Sequence, residues 1–170
     1  MSKKYWWSGL FLLVVFLIAG LWLNEPAKVK AEPKTGVMVG DKFPAFTVTN
    51  SAGELVSISP GSSPVVLNFW ATWCPPCRAE LPELADFARS HEGTVAFYGI
   101  DLQESPQTVE PFLEELQVVL PVVYDRDGKA ARTFAVRFIP TTIVANAQGI
   151  ILFRKSGPVT AEELNSVLNQ

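Results

Sequence analysis

The chain has 170 residues, an apolar fraction of 48%, a charged fraction of 18% and a formal net charge of −3. This length accommodates one domain and a short additional segment, and the slightly acidic balance offers no basic surface for binding nucleic acid. Only two cysteines are present, so the only disulfide that can form within the chain joins Cys74 to Cys77.

A long apolar run occupies the amino end of the chain. Residues 6–23 carry no charged side chain and follow Lys3 and Lys4, and about 18 such residues approach the roughly 20 that a helix needs to cross a bilayer. A buried core helix and a cleaved signal peptide are alternatives, but the length and position of the run favour an uncleaved anchor. The predicted organisation is a cytoplasmic N-terminus at 1–5, a transmembrane signal-anchor at 6–23, a tether at 24–36 and an extracytoplasmic domain at 37–170.

The domain sequence predicts strands that alternate with helices. In chain order, the first predicted elements are a β-hairpin formed by 46–48 and 54–58, a buried strand at 65–69, a helix at 74–90 that Pro82 kinks, and a strand at 94–100. A helix that Ser105 caps and Pro106 opens follows, and then an extended piece at 118–124 and a short helix at 127–134. The last elements are a hairpin formed by 141–145 and 150–154 and a final helix introduced by a capping box at 160–163. This alternation favours an α/β sandwich around a mixed central sheet.

The two cysteines lie in one short motif, Trp-Cys-Pro-Pro-Cys at 73–77, between a predicted strand and a predicted helix. A disulfide that closes so small a loop adds little stability, so we interpret the pair as one that opens and closes. At a helix start, free backbone N–H groups and the helix dipole stabilise the thiolate of Cys74, whereas Cys77 is expected to be more buried. Cys74 is therefore the predicted attacking sulfur and Cys77 the resolving one.

An ordered set of motifs in the chain resembles thioredoxin-fold proteins. These motifs are the cysteine segment at 73–77, Pro82 five residues later, and Phe-Ile-Pro-Thr-Thr at 138–142. The segment 66–73, Val-Leu-Asn-Phe-Trp-Ala-Thr-Trp, narrows the resemblance to the membrane-anchored TlpA/ResA-like family, which is related to the cytochrome c maturation thioredoxins. The resemblance covers 37–170 and implies a thioredoxin fold in which helices flank a mixed central sheet, with an N-terminal β-hairpin and a central α-helical insertion.

The same resemblance implies which residues meet a protein substrate. It implies a cis peptide bond between Ile139 and Pro140 that faces the disulfide, with the Ile139 backbone pairing to the bound partner. Trp73, Pro75 and Pro76 complete the expected substrate-binding surface. From the residues alone, Pro140 could also be a simple turn residue, since only about one X-Pro bond in twenty is cis.

An acid–base residue is expected beside the cysteines. Ordinary thioredoxins resemble this chain but carry a buried aspartate where Asn68 stands, and an amide cannot titrate. Glu80, three residues beyond Cys77, is the predicted replacement, because burial beside a thiol raises the pKa of a carboxyl group towards neutrality. The alternative is an exposed helical glutamate near Arg78. Glu104 is a second acidic candidate, in the pattern of the TlpA/ResA-like family.

The resemblance implies an oxidoreductase that exchanges the Cys74–Cys77 disulfide with protein substrates outside the cytoplasm. Reduction is the expected direction, for example of the haem-binding cysteines of apocytochrome c. Electrons would then come from a membrane donor of the CcdA/DsbD type. We expect a monomer that binds no cofactor, metal or nucleic acid.

Three other interpretations remain open. A zinc site needs four ligands, and only His91 could join the two thiols. A thiol peroxidase is suggested because the hairpin segment also resembles peroxiredoxins, but their reactive cysteine follows a threonine by three positions, whereas Thr72 precedes Cys74 by two. A non-catalytic copper-binding assembly factor would resemble copper chaperones with three residues between their cysteines and a distal histidine. Here the gap is two residues and no histidine follows His91.

Overall fold

The computed structural model describes residues 32–59, 61 and 63–169. The predicted cytoplasmic N-terminus, the predicted signal-anchor and most of the predicted tether lie outside these ranges, so their assignment stays a prediction. Within the described ranges, no helix is both long and apolar enough to span a bilayer.

The compact unit begins at Pro33, slightly before the predicted domain start at residue 37. Thr35 forms a β-bridge with Lys42, and the N–H of Gly36 donates a 2.9 Å hydrogen bond to the Lys42 carbonyl. The last residues of the predicted tether therefore belong to the fold, because backbone pairing holds them against the segment before the first strand.

The described residues form a seven-stranded sheet and four helices. The strands are β1 (Phe46–Thr49), β2 (Leu55–Ile58), β3 (Val65–Trp70), β4 (Ala96–Leu102), β5 (Val122–Asp125), β6 (Thr141–Ala145) and β7 (Ile151–Ser156), in the spatial order β2-β1-β5-β4-β3-β6-β7. The helices are α1 (Pro75–Ser90), α2 (Pro106–Glu115), α3 (Lys129–Thr133) and α4 (Ala161–Leu168). Because β4 runs parallel to β3 and β5 while β6 runs antiparallel to β3, the sheet is mixed, as predicted.

Strand β3 lies inside the sheet and leads directly to the cysteine motif. All of its residues are buried, as expected for a continuous apolar strand that is covered on both faces. Trp70 packs in the layer that contains α1, α2 and α4, whereas Leu67 and Phe69 pack in the opposite layer around Phe134. Burial of each such side chain contributes about 1.5–3 kcal/mol, so packing from both faces fixes the carboxyl end of β3.

Both predicted hairpins are confirmed, and their turns use the same device. In the β1–β2 turn, the Asn50 side-chain oxygen accepts a 2.9 Å hydrogen bond from the N–H of Glu54. In the β6–β7 turn, the Asn146 oxygen accepts a 2.9 Å hydrogen bond from the N–H of Ile150. An asparagine side chain that binds a nearby backbone N–H favours a turn over a continued strand.

The predicted helix starts are confirmed at α4 but only in part at α2. The Thr160 hydroxyl accepts the N–H of Glu163 at 3.2 Å, and the Glu163 carboxylate accepts the N–H of Thr160 at 3.0 Å, which completes the capping box. Ser105 occupies the N-cap of α2 but makes no side-chain capping bond. Ser105 is therefore the N-cap residue, as predicted, but its hydroxyl caps no backbone N–H and instead lies 3.3 Å from the hydroxyl of Thr108.

Other differences concern element lengths. Helix α1 continues through Pro82 to its end at Ser90. Strand β4 begins two residues later than predicted, at Ala96. The predicted extended piece shortens to β5, whose first residue is Val122.

Candidate active site

The Cys74–Cys77 disulfide lies where the chain passes from β3 into α1. Both cysteines are joined in the structure, and Cys74 occupies the N-cap of α1, where its sulfur accepts a 3.3 Å hydrogen bond from the N–H of Cys77. Pro75 and Pro76 have no N–H, so Cys77 supplies the first donor that the helix offers to this sulfur. The helix start thus provides the N–H donor and the positive dipole end that the sequence analysis expects for the Cys74 thiolate.

The sulfurs are covered, but the surface beside them is open. Cys74 is 3% exposed and Cys77 is fully buried, in the predicted order. Trp73 is 66% exposed and thus available to a docking partner, whereas Trp70 is fully buried in the core. Cys74 is therefore the nearer sulfur to a protein that docks on the Trp73 side.

The segment before β6 is the second wall of the site. The Ile139–Pro140 peptide bond is cis, as the resemblance implies. Because Thr141 pairs with Phe69 near the carboxyl end of β3, Pro140 lies at the same end of these strands as the cysteine loop. Ile139 packs against the apolar cluster that includes both cysteines.

Phe138 is a surface residue that the sequence analysis did not assign to the site. It is 74% exposed and lies one residue before the cis peptide bond. An exposed aromatic side chain has a large apolar area available for a partner. The available signal was the position of a phenylalanine directly before Ile-Pro at the start of a buried strand.

Glu80 is buried and held from two directions. It is 5% exposed, and its Oε1 accepts a 2.9 Å hydrogen bond from the Asn68 side-chain amide while Oε2 accepts a 2.8 Å bond from the N–H of Val159. The alternative interpretation of Glu80 as an exposed helical residue near Arg78 is therefore wrong. Arg78 instead lies over the ring of Phe112, with its guanidinium carbon 5.0 Å from the ring centroid.

Burial gives Glu80 an unusual proton affinity. Desolvation raises the pKa of its carboxyl group, and the hydrogen bonds from the Val159 N–H and the Asn68 amide oppose this rise. The net direction is upward, so protonation costs less than in water. A carboxyl group in this state, one helical turn beyond Cys77, is suited to exchange a proton with that sulfur.

Asn68 supports Glu80 and takes no part in proton transfer itself. Its fully buried amide nitrogen donates to Glu80 and also, at 3.0 Å, to the hydroxyl of Thr142. Its Oδ1 makes no hydrogen bond with any residue that the structure describes. Asn68, which stands where ordinary thioredoxins carry an aspartate, thus positions the Glu80 carboxyl group.

A second acidic pair lies on the other side of the cysteine loop. Glu104 accepts hydrogen bonds from both the N–H and the hydroxyl of Thr72, at 2.7 and 2.6 Å. Its own N–H donates a 3.1 Å bond to Asp101, which is fully buried. Burial and the neighbouring Glu104 carboxylate raise the pKa of Asp101 to about 8. Sequence reasoning placed Glu104 but missed Asp101, for which the only signal was an acidic residue inside an apolar strand.

Comparison with known proteins establishes the family. Residues 39–154 match the AhpC/TSA family. The chain belongs to this family. Sporulation thiol-disulfide oxidoreductase A of Bacillus subtilis is 32% identical over 90% of this chain and 93% of its own length. Thiol:disulfide interchange protein DsbE of Pseudomonas aeruginosa is 35% identical over 89% of this chain and 82% of its own length.

The fold of this AhpC/TSA protein also has solved counterparts. The crystal structure of StoA from Bacillus subtilis covers 73% of this chain and 96% of its own, with a TM-score of 0.64 and 32% identity. The thioredoxin-like fold and the relationship to thiol–disulfide oxidoreductases, both expected from the motifs, are therefore confirmed.

The geometry of the site also bears on the zinc, peroxidase and copper interpretations of this AhpC/TSA protein. The hydroxyl of Thr72, the threonine nearest to Cys74 in the sequence, donates to Glu104, so it is engaged away from the sulfur. His91 follows the end of α1, 14 residues after Cys77, which corresponds to about 20 Å along a helix. His91 and the cysteines therefore cannot bind one metal ion together.

Proposed function

We propose that this thiol–disulfide oxidoreductase is anchored in the membrane and reduces the disulfides of exported proteins. The observation that carries the proposal is the Cys74–Cys77 disulfide at the start of α1, where the sulfur at the helix N-cap lies beside exposed Trp73. The names of the relatives support the reaction class. The proposed location is supported by the apolar run at 6–23 and by the compartments in which protein disulfides persist.

The proposed reaction transfers two electrons to the substrate, which takes up two protons from water. The Cys74 thiolate attacks one sulfur of a substrate disulfide, and the other substrate sulfur leaves as a thiolate that takes a proton from water. Cys77 then loses its proton, attacks Cys74 and releases the second substrate sulfur as a thiolate, which also takes a proton from water. The substrate ends as a dithiol and the protein as the Cys74–Cys77 disulfide. Glu80 accepts the Cys77 proton in the second step and returns a proton when the protein is reduced again.

The proposal also names an electron source and a substrate. A reductant outside the cytoplasm must be recharged from inside, which supports a membrane donor of the CcdA/DsbD type. The resemblance to cytochrome c maturation thioredoxins supports the haem-binding cysteines of apocytochrome c as substrate. Both belong to the proposal.

Thiol labelling of intact spheroplasts tests the location and the direction together. Because Cys74 and Cys77 are the only cysteines of the chain, any maleimide adduct reports on the site. We expect a membrane-impermeant maleimide to label most molecules of the full-length chain without lysis, since an exported reductant is held as a dithiol at steady state. Pretreatment with dithiothreitol provides the fully reduced reference.

Two results would contradict the proposal in different ways. Labelling that requires lysis even after pretreatment with dithiothreitol would place the domain inside the cell. Labelling that occurs from outside only after this pretreatment would show a steady-state disulfide and therefore an oxidant.

Trp73 provides a test of the docking surface. We expect Trp73→Ala to lower kcat/KM for a protein disulfide about tenfold, because exposed aromatic anchors dominate protein contacts. The rate with glutathione disulfide, which is too small to need this surface, is expected to stay within about twofold. Leu55→Ala is the matched control, since Leu55 is also apolar and 79% exposed but lies on β2 at the sheet edge. Equal losses on both disulfides would instead place Trp73 in the chemical step.

A further inference from the structure

The carboxyl pair on the side of the cysteine loop away from Glu80 has no part in the reaction described above. Glu104 uses both carboxylate oxygens to hold Thr72, through its N–H at 2.7 Å and its hydroxyl at 2.6 Å. Thr72 stands two residues before Cys74, and the N–H of Cys74 in turn donates a 3.2 Å bond to the Ala71 carbonyl. The position of Glu104 therefore determines the path of the backbone from Thr72 to Cys74.

Asp101 in turn determines the position of Glu104. Its Oδ1 accepts the N–H of Glu104 at 3.1 Å, and the residue between the loop and the strand, Gln103, has a left-handed φ of 62°. No N–H or hydroxyl of a described residue donates to the other carboxyl oxygen of Asp101, the buried Oδ2, whereas a side-chain hydrogen bond with the Glu104 carboxylate favours the protonated form of Asp101. A buried, unpartnered carboxylate oxygen is costly, whereas a protonated carboxyl group carries no charge to desolvate.

The groups around Asp101 favour its protonated form. Its cross-strand neighbours on β3 and β5 are Trp70 and Tyr124. Trp70 has no charge, and burial raises the pKa of Tyr124 to about 12, so this hydroxyl stays neutral. The charged groups that act on Asp101 are the carboxylates of Glu104 and Asp125, which both oppose its ionisation.

Two charged residues lie farther out in the same layer. Glu110 of α2 acts on Tyr124 and adds negative charge, and Arg78 of α1 lies over Phe112. Since the carboxylates dominate around Asp101, ionisation of this residue would put two adjacent negative charges under the cysteine loop.

From this arrangement, we propose that Asp101 is a positioning residue for Cys74: it holds a proton that stabilises the grip of Glu104 on Thr72, and loss of that proton disfavours the reduced, thiolate form of the site. This inference rests on the proposed function, since it concerns the same cysteine pair. It adds a second pH-dependent group, separate from Glu80. With Asp101 protonated the pair carries one negative charge, and with Asp101 ionised it carries two against the loop that leads to Cys74.

The test is the equilibrium between the full-length chain and a dithiothreitol redox buffer, followed from about pH 6.5 to about pH 9. Dithiothreitol gives two electrons and two protons to the disulfide and becomes its cyclic disulfide. Asp101→Asn mimics the protonated residue, because its amide keeps the acceptor oxygen for the Glu104 N–H and cannot ionise. We measure the equilibrium constant for reduction of wild type relative to Asp101→Asn, so that titration of the cysteines and of Glu80 cancels from the ratio.

We expect the ratio to be constant up to neutral pH and to fall about threefold to tenfold by about pH 9, which corresponds to a charge interaction of half a pKa unit to one unit. Glu110→Gln is the matched control, because it removes an exposed negative charge from the same layer. Its equilibrium constant should depend on pH in the same way as that of wild type. A flat ratio for Asp101→Asn, or an equal change in Glu110→Gln, would overturn the inference.

A second variant tests the positioning role. Asp101→Ala removes the acceptor for the Glu104 N–H, and we expect slower exchange with dithiothreitol at neutral pH, whereas Asp101→Asn keeps the wild-type rate. If Asp101→Ala does not fold, the Asp101→Asn profile still decides. Failure of the wild-type chain to equilibrate with dithiothreitol would contradict the proposed function, whereas normal equilibration with a flat ratio would contradict only the role of Asp101.

Discussion

Replacement of Cys77 by serine is expected to turn the protein from a catalyst into a trap. The Cys74 thiolate can still attack a substrate disulfide, but serine cannot release the mixed disulfide that forms. Turnover should fall roughly a thousandfold or more, and a covalent adduct through Cys74 should accumulate. Non-reducing electrophoresis of the full-length chain with a disulfide-containing protein, followed by mass spectrometry, measures both effects.

The reciprocal variant is the control for these roles. Cys74→Ser leaves only the fully buried Cys77 sulfur, so we expect neither turnover nor adducts. The serine in Cys77→Ser keeps the backbone N–H that donates to Cys74, so its trapping activity does not depend on a changed helix start. Adducts recovered through Cys77 alone would reverse the assignment of the two sulfurs.

Replacement of Glu80 by glutamine is expected to have the second largest effect. Loss of a proton acceptor for Cys77 should slow exchange about a hundredfold near neutral pH, and the limb of the pH–rate profile that belongs to Glu80 should disappear. Stopped-flow measurement of the protein's tryptophan fluorescence during reduction gives this profile. An unchanged rate and profile would mean that Glu80 is only structural.

The glutamine fits the site without a buried clash between donors. Its oxygen can accept the Val159 N–H, and its amide then needs an acceptor where the Asn68 amide nitrogen now lies. Rotation of the Asn68 side chain supplies one, because its Oδ1 is otherwise unpartnered among the described residues. The Thr142 hydroxyl can turn from acceptor to donor in response.

Stability should respond to pH with a definite sign. The pKa of Glu80 is raised in the folded chain above its usual 4.5, so the folded state binds this proton more tightly than the unfolded state. Its contribution to the free energy of unfolding is therefore fully present below about pH 4.5 and is lost as the pH rises through the folded value. Urea unfolding measures the free energy of unfolding of wild type and of Glu80→Gln. As the pH rises through this range, the difference between the two should shift in favour of the variant.

Glu83→Gln separates the acid from the contact. Glu83 lies one turn further along α1, is exposed, and accepts the N–H of Ala161 at 2.6 Å, much as Glu80 accepts that of Val159. We expect this variant to exchange disulfides at the wild-type rate. Equal slowing in both variants would show that the attachment of α1 to the segment around α4 matters, and the proton does not.

The parts of the fold that follow local rules were predictable from the sequence. The turn asparagines, the apolar run of β3 and the capping box before α4 each act over a few residues. Ser105 shows the limit of such rules, because a serine before a proline permits a cap but does not require one. Its hydroxyl binds the Thr108 side chain instead.

The site was predictable where a motif carried it and not where distant segments meet. Glu80 follows Cys77 by one helical turn, so its place could be read directly. Its partners could not, because the bonds that fix it come from Asn68 and from Val159, which are 12 and 79 residues away. Asp101 depends likewise on the approach of the β4 loop to Thr72, 32 residues from Glu104.

The bond between Glu80 and the Val159 N–H has a practical consequence for handling the protein. Val159 directly precedes Thr160, the N-cap of α4, and α4 ends at Leu168, two residues before the last residue of the chain. Anything that unwinds this last helix, such as a truncation or a bulky fusion partner, would alter the surroundings of the buried acid. Affinity tags and reporter fusions are therefore best kept away from the carboxyl terminus when redox properties are to be measured.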